Sequence, residues 1–125
     1  MGHRALIVFT DNKEEQFSPT VYLHWHGAHA IEWLRELQDL MSDRLGDIDY
    51  ACARFIGICH QNIEGNLSLG VWTTPFDAPA WDAEDWADYS HGDEGVFLVN
   101  TTDFSIRNVN LGDKEWRTST REVFV

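Results

Sequence analysis

Residues 4–10 read Arg-Ala-Leu-Ile-Val-Phe-Thr, and this short segment decides what kind of fold the chain adopts. Residues 5–9 are apolar without interruption, so both faces of an extended strand would be apolar here. Such a strand is typical of the centre of a sheet. We therefore predict a central strand, followed by a polar, charged loop over residues 11–19.

A second strand is predicted over residues 21–25, and Gly27 is expected to end it. Successive side chains of a strand alternate between its two faces. The predicted strand therefore carries Val21, Leu23 and Trp25 on one face and Tyr22, His24 and His26 on the other.

Two helices are predicted next. Residues 28–45 place apolar side chains at helical spacing, at Ile31, Leu34, Leu37, Leu40, Met41 and Leu45. Gly46 is expected to stop this helix, because glycine tolerates left-handed backbone. Asp47 is expected to cap the second helix, since its carboxylate can accept hydrogen bonds from the first amides. The buried stripe of that helix is predicted to be Cys52, Phe55, Ile56, Cys59 and Ile63.

The remaining chain predicts further strands around an acidic insertion at about residues 75–95. Strands are expected over residues 67–73, 95–101 and 104–111, with an edge strand at 121–125 and a short helix over residues 80–89. This order of elements predicts an α+β fold: a mostly antiparallel sheet of about five strands, with two helices packed on one face. All 125 residues are expected to form a single domain.

The two cysteines, Cys52 and Cys59, lie two turns apart on the predicted helix, too far for a disulfide. Reduced cysteines are typical of a cytoplasmic protein. No signal peptide or membrane-spanning run is visible in the sequence. We therefore expect a cytoplasmic location.

Charge is the strongest functional signal, because the chain carries a formal net charge of −12 that is unevenly placed. From Phe55 through Ile106 there is no Lys or Arg. Nine carboxylates lie in the same stretch: Glu64, Asp77, Asp82, Glu84, Asp85, Asp88, Asp93, Glu94 and Asp103. Such a field repels nucleic acid and acidic membranes and attracts cationic partners. Direct nucleic-acid and membrane binding are thus excluded, and a basic protein partner is favoured.

The acidic insertion supplies the candidate partner-binding residues: Trp81, Asp82, Glu84, Asp85, Trp86, Asp88, Tyr89, Asp93 and Glu94. A row of carboxylates at helical spacing can imitate a nucleic-acid backbone. Aromatic side chains would anchor the interface. The first helix would extend this surface through Glu32, Glu36, Asp39 and Asp43 if it borders the insertion. Two alternatives stay open: a solvated face with Trp81 and Trp86 closing the core, or metal binding, although an EF-hand spacing is absent.

A second cluster comprises His24, His26 and His29. Two histidines at i and i+2 on a strand point the same way, and a third one turn later would complete a three-His zinc site. The alternatives are local hydrogen bonding on the polar side of the sheet and a pH-sensitive contact. No catalytic residues are assigned: Ser90-His91-Gly92-Asp93 indicates a turn, and Cys59-His60 a buried helical position.

Three segments, residues 4–9, 21–27 and 93–99, carry a resemblance. Together they resemble a group of small uncharacterised proteins from bacteriophages, prophages and plasmids. The likeness extends over the ordered core. In that group the position of His26 is often Asn, which weakens the zinc hypothesis for the group. The resemblance implies an accessory protein of a mobile element, located in the cytoplasm of a bacterial host, and no defined chemistry.

The sequence thus leads to one main functional expectation and two alternatives. The main expectation is a non-enzymatic, acidic interaction protein of phage or mobile-element origin. It would inhibit a basic, nucleic-acid-binding host factor, for example a CRISPR effector or another defence protein, by occupying its DNA or RNA groove. The alternatives are a small zinc enzyme using the three histidines, and an assembly protein that docks on a basic partner without blocking nucleic acid.

Overall fold

The computed structural model describes residues 3–63 and 68–119. In chain order the elements are strands β1 (Ala5–Thr10) and β2 (Thr20–Leu23), helices α1 (Ala30–Leu40) and α2 (Ile48–Asn62), strand β3 (Leu69–Trp72), helix α3 (Ala83–Tyr89), and strands β4 (Gly95–Asn100), β5 (Ile106–Val109) and β6 (Arg117–Ser119). Within these described ranges, no helix is long and apolar enough to cross a membrane.

The six strands form one sheet in the order β3-β2-β1-β4-β5-β6. β1 and β4 run parallel, with Ala5 opposite Gly95 and Thr10 opposite Asn100. The other pairs of the sheet are antiparallel. The predicted α+β class with a mostly antiparallel sheet is confirmed. The expected number of about five strands was too low, because residues 117–119 pair with β5; the strand predicted at 121–125 lies outside the described residues.

β1 explains why the opening segment is apolar on both faces. Its six residues are all buried between neighbouring strands. Ala5, Ile7 and Phe9 face a large apolar core beneath α1 and α2. Leu6 and Val8 face a second, smaller core that α3 covers. Two helices therefore pack on one face, as predicted, and the acidic insertion covers the other face with a third helix.

The second helix follows its sequence pattern in part. Cys52, Phe55 and Cys59 are buried as predicted, but Ile56 and Ile63 are only half-buried, and Ile58, which was not assigned to the stripe, is buried. The Asp47 carboxylate accepts a hydrogen bond from the Tyr50 amide at 3.1 Å, which is the predicted cap. Both cysteines are free and buried on the inner face of α2. Burial raises the pKa of the Cys59 thiol to about 12, which disfavours the reactive thiolate form.

The first helix is shorter than predicted. A 3₁₀ turn over Gly27–His29 precedes α1, and α1 ends at Leu40. Leu40 was assigned to the buried stripe but is 43% exposed. Gly46 has the predicted left-handed backbone, with φ of +87°, but it lies in the connection before α2 rather than at the end of α1.

The second strand also ends earlier than predicted, at Leu23. The cause is a close backbone approach at Gly27, whose amide donates to the carbonyl oxygen of His3 at 2.7 Å. A Cβ atom at Gly27 would come within 2.1 Å of that oxygen, so only glycine fits there. The chain therefore bends after Leu23, and Trp25, predicted to share a strand face with Val21 and Leu23, is 48% exposed while those two residues are buried.

Candidate protein-binding face

Helix α3 begins with a reciprocal pair of hydrogen bonds between two acidic residues. The Asp85 amide donates to Asp82 Oδ1 at 2.9 Å, and the Asp82 amide donates to Asp85 Oδ2 at 3.2 Å. This capping box satisfies backbone donors that a helix otherwise leaves open. The helix therefore starts at Ala83 and not at residue 80, where a separate 3₁₀ turn with Pro79 ends.

The inner side of α3 packs on the sheet through Ala83, Trp86 and Ala87. The Trp86 side chain is only 1% exposed and belongs to the core with Leu6 and Val8. Trp86 was predicted to anchor a partner, but it is buried and not accessible. This is the arrangement expected if tryptophans of the insertion close the core.

The other two predicted anchors, Trp81 and Tyr89, are partly buried. The Trp81 ring packs edge-on against Trp86, with centroids 4.7 Å apart, and against Tyr89 at 5.1 Å. Only part of each side chain is therefore accessible to a partner.

A chain of hydrogen bonds fastens the end of α3 to the sheet. The Thr74 hydroxyl donates to the Ser18 carbonyl oxygen at 2.6 Å, so its oxygen must accept from Thr20, 2.8 Å away. The Thr20 oxygen in turn accepts from the Tyr89 hydroxyl at 2.8 Å. The Trp72 indole donates to the Tyr89 oxygen at 2.7 Å. All the donors point the same way, and each hydroxyl is satisfied as donor and acceptor.

Four exposed carboxylates lie at the N-cap and on the outer side of α3, and we call them the acidic face: Asp82, Glu84, Asp85 and Asp88. Residues three and four apart on a helix are neighbours, with Cβ atoms about 5–6 Å apart. Glu84 and Asp88 are related in this way, as are Asp85 and Asp88. The predicted row of carboxylates at helical spacing is therefore present on the surface.

Residues 55–106 contain no Lys or Arg, but the fold places a basic side chain from elsewhere in the chain next to α3. Lys114, in the connection before β6, donates to Asp88 Oδ1 at 2.7 Å. This hydrogen bond raises the pKa of Lys114. The C-terminal end of the acidic face is thus partly neutralised, and its negative charge is concentrated toward the N-terminal end of α3.

Asp93 and Glu94, also predicted to bind a partner, join the loop before β4 to the start of β1. Asp93 Oδ2 accepts from Arg4 Nε at 2.9 Å and from the Arg4 amide at 3.1 Å. These hydrogen bonds and the guanidinium charge hold the pKa of the Asp93 carboxyl below its usual value. Glu94 Oε2 lies 3.0 Å from His3 Nδ1. Both carboxylates therefore have local partners at this end of the sheet.

The acidic residues of the first helix do not extend the acidic face. α1 contacts the core on the opposite side of the sheet from α3. The side chains in question are Glu32, Glu36, Asp39 and Asp43. These four residues were expected to extend the acidic surface only if the first helix borders the insertion, and it does not.

The three candidate zinc ligands are not brought together. Because β2 ends at Leu23, His24 and His26 do not lie on the same face of one strand, as predicted for a metal site. His24 Nδ1 is hydrogen-bonded to the Tyr22 hydroxyl at 2.6 Å. The rings of His26 and His29 have centroids 6.3 Å apart, and His29 stacks on Trp33. In residues 3–63 and 68–119, no three His, Cys, Asp or Glu side chains are grouped to hold a metal ion.

Two surface features were missed by sequence reasoning. Phe76 is 97% exposed, and its position between Pro75 and Asp77 is the sequence signal that could have indicated this exposure.

An open cleft of about 580 Å³ lies between the loop after β1 and the start of α2, lined among others by Asp11, Asp47 and Asp49. Its walls come from distant parts of the chain, so no local pattern indicates it.

The fold and its surface define an α+β protein of three layers, with an acidic helix covering one face of the sheet. No protein-family model, curated protein or solved structure matches this chain.

Proposed function

We propose that this chain is a non-enzymatic interaction protein whose acidic face docks on a basic, nucleic-acid-binding protein and occupies its nucleic-acid groove. The observation that carries the proposal is the display of Asp82, Glu84, Asp85 and Asp88 at the N-cap and on the outer side of one short helix. Around this helix, the sequence has no Lys or Arg from residue 55 to residue 106.

Electrostatics supports such a partner. A surface of one sign attracts the opposite sign and accelerates encounter at low salt. A basic groove that binds this face in place of DNA or RNA releases the same kind of condensed counterions. Like charges would repel nucleic acid itself and anionic membranes, so a basic protein is the favoured class of partner.

Rigidity supports it as well. A seven-residue helix is too short to be stable alone in water. α3 is held by the capping box at Asp82, by burial of Trp86 and by the hydrogen bonds of Tyr89. A pre-formed row of charges loses little conformational entropy on binding. The phage or mobile-element origin stays a prediction from the resemblance.

A matched pair of charge reversals tests the proposal. Glu84→Lys changes the acidic face, whereas Glu36→Lys makes the same change on α1, across the sheet. Asp85 is a poorer choice, because its carboxylate belongs to the capping box. The immobilised proteins are challenged with the heparin-binding fraction of a bacterial lysate, eluted in a salt gradient and analysed by mass spectrometry.

We expect the wild type and Glu36→Lys to retain a basic nucleic-acid-binding protein that added DNA or RNA displaces. Glu84→Lys should bind it roughly tenfold more weakly and release it at lower salt. Equal retention by all three proteins would refute a role for the acidic face. If a basic protein is retained but added DNA or RNA does not displace it, this chain does not occupy the nucleic-acid groove. The alternative of an assembly protein that docks elsewhere on a basic partner would then be favoured.

A further inference from the structure

Phe76 is the most exposed large apolar side chain in the described part of the protein, at 97%. It lies between β3 and α3, next to Asp77. Single exposed apolar side chains are ordinary on protein surfaces. Phe76 differs because it is almost wholly solvent-exposed while the backbone on both sides of it is fixed.

Buried residues pin the backbone on both sides of Phe76. Thr74, on the N-terminal side, is a member of the hydrogen-bond chain and donates to the Ser18 carbonyl oxygen at 2.6 Å. Ala78, on the C-terminal side, is 1% exposed and packs in the core beneath α3. Residues 75–77 therefore lie between two anchored positions of the backbone.

The intervening residues form a hydrogen-bonded turn. The Ala78 amide donates to the Pro75 carbonyl oxygen at 3.1 Å. Asp77 has φ of −86° and ψ of 0°, the values of the second central residue of a type I turn. Phe76 is the first central residue, and Pro75 and Pro79 restrict the chain on either side. Holding the backbone of Phe76 in place therefore costs little further entropy on binding.

The carboxylates that follow Phe76 in the chain indicate that a partner surface contacting it carries basic side chains. Asp77 is its neighbour, and the capping-box pair Asp82 and Asp85 follows the 3₁₀ turn that begins at Ala78. Each carboxylate of the pair uses one oxygen in the box, and a carboxylate can accept several hydrogen bonds. The Lys114 ammonium reaches Asp88, in the last turn of α3. Carboxylates therefore follow Phe76 in the chain, on the side where the charge of α3 is concentrated.

We propose that Phe76 is the apolar anchor of the interface and inserts into an apolar pocket of the partner whose rim carries Lys or Arg. This inference rests on the proposed function and adds the residue that seats the acidic face. A second copy of this chain would bring like charges together, and an anionic membrane would do the same. Buried aromatic anchors surrounded by polar rims dominate the binding energy of most protein interfaces.

Three substitutions of Phe76 and one control test the anchor. Phe76→Ala removes the ring, Phe76→Leu keeps an apolar side chain, and Leu111→Ala truncates another exposed apolar residue, 52% exposed, beyond β5. The probe is again the heparin-binding fraction of a bacterial lysate, with retained proteins quantified by mass spectrometry. Phe76→p-benzoylphenylalanine in the whole chain provides a photo-crosslink that maps the contact.

We expect Phe76→Ala to weaken retention of the basic protein on the order of 30-fold, with Phe76→Leu in between and Leu111→Ala unchanged. The crosslinked peptide should lie among Lys and Arg residues of that same protein. If Phe76→Ala binds like the wild type while Glu84→Lys does not, the anchor is refuted and the proposed function stands. If the wild type retains no basic protein, both are refuted.

Discussion

The two faces of the sheet are covered in different ways. The face beneath α1 and α2 is closed by large apolar side chains, with Trp33, Phe55 and Phe9 all fully buried. The face beneath α3 has a smaller core, and indole, phenol and hydroxyl groups form directional hydrogen bonds at its margin. Burial of area is non-directional, whereas hydrogen bonds fix orientation. The first face therefore stabilises the fold, and the second holds a charged helix in one orientation.

The largest effects are expected when one buried aromatic side chain on each face of the sheet is replaced by alanine. Phe55→Ala should lower the free energy of unfolding by about 3–5 kcal/mol, because Phe55 is fully buried and packs edge-on against Phe9. Trp86→Ala should release α3 locally before the sheet unfolds, since seven residues cannot remain helical alone. Denaturant unfolding and amide hydrogen exchange of both variants test this difference.

In the exchange experiment, Trp86→Ala should remove protection from residues 83–89 and leave the amides of α2 protected. Phe55→Ala should lower protection in α2 and in β1 together. The contrast between the faces would be wrong if Trp86→Ala lowered protection throughout the chain as much as Phe55→Ala does.

An intermediate effect is expected at the hydroxyl of Tyr89. Tyr89→Phe leaves the ring in place but removes the donor to Thr20 and the acceptor for the Trp72 indole. Loss of hydrogen bonds to partly buried groups costs about 1–2 kcal/mol. Tyr50→Phe on α2 is the matched control, because its cation–π contact with Arg44 needs only the ring. Thermal unfolding should show a smaller change for the control; equal changes would argue against the hydrogen-bond chain.

The smallest effect concerns acid stability at the end of the sheet. Arg4 holds the pKa of Asp93 below its usual value, so folding favours the ionised carboxylate. This contribution is present above the unfolded pKa, about 3.9, and is lost as the pH falls through the folded value. Asp93→Asn should therefore destabilise the protein near neutrality, and the difference should shrink below about pH 4. Urea unfolding at a series of pH values measures it, and a difference constant down to pH 2 would contradict this account.

The sequence predicted best where one local pattern determines the structure. The strand at residues 5–10 is apolar on both faces because helices cover both sides, and the Asp47 cap needs only the next three residues. The end of the second strand could not be predicted in this way. It depends on Gly27 approaching His3, a contact between segments that are separate in sequence.

The candidate site shows the same division. The exposed carboxylates Glu84, Asp85 and Asp88 lie at the helical spacing that the sequence alone indicates, whereas their binding to a partner stays a prediction. The burial of Trp86 was not predicted, because it depends on which side of α3 meets the sheet. The bases that reach Asp88 and Asp93 come from Lys114 and Arg4, outside the acidic stretch, so inspection of that stretch alone overstated its negative charge.

The parallel pairing of β1 with β4 has a consequence for how the chain folds. Residues 5–10 cannot complete their central pairing until residues 95–100 are available. Contacts between such distant segments slow folding. Until then, an apolar β-prone segment at residues 5–9 remains a template for aggregation. The net charge of −12 opposes contact between such unfinished chains, so the acidity also keeps the nascent protein apart from its copies.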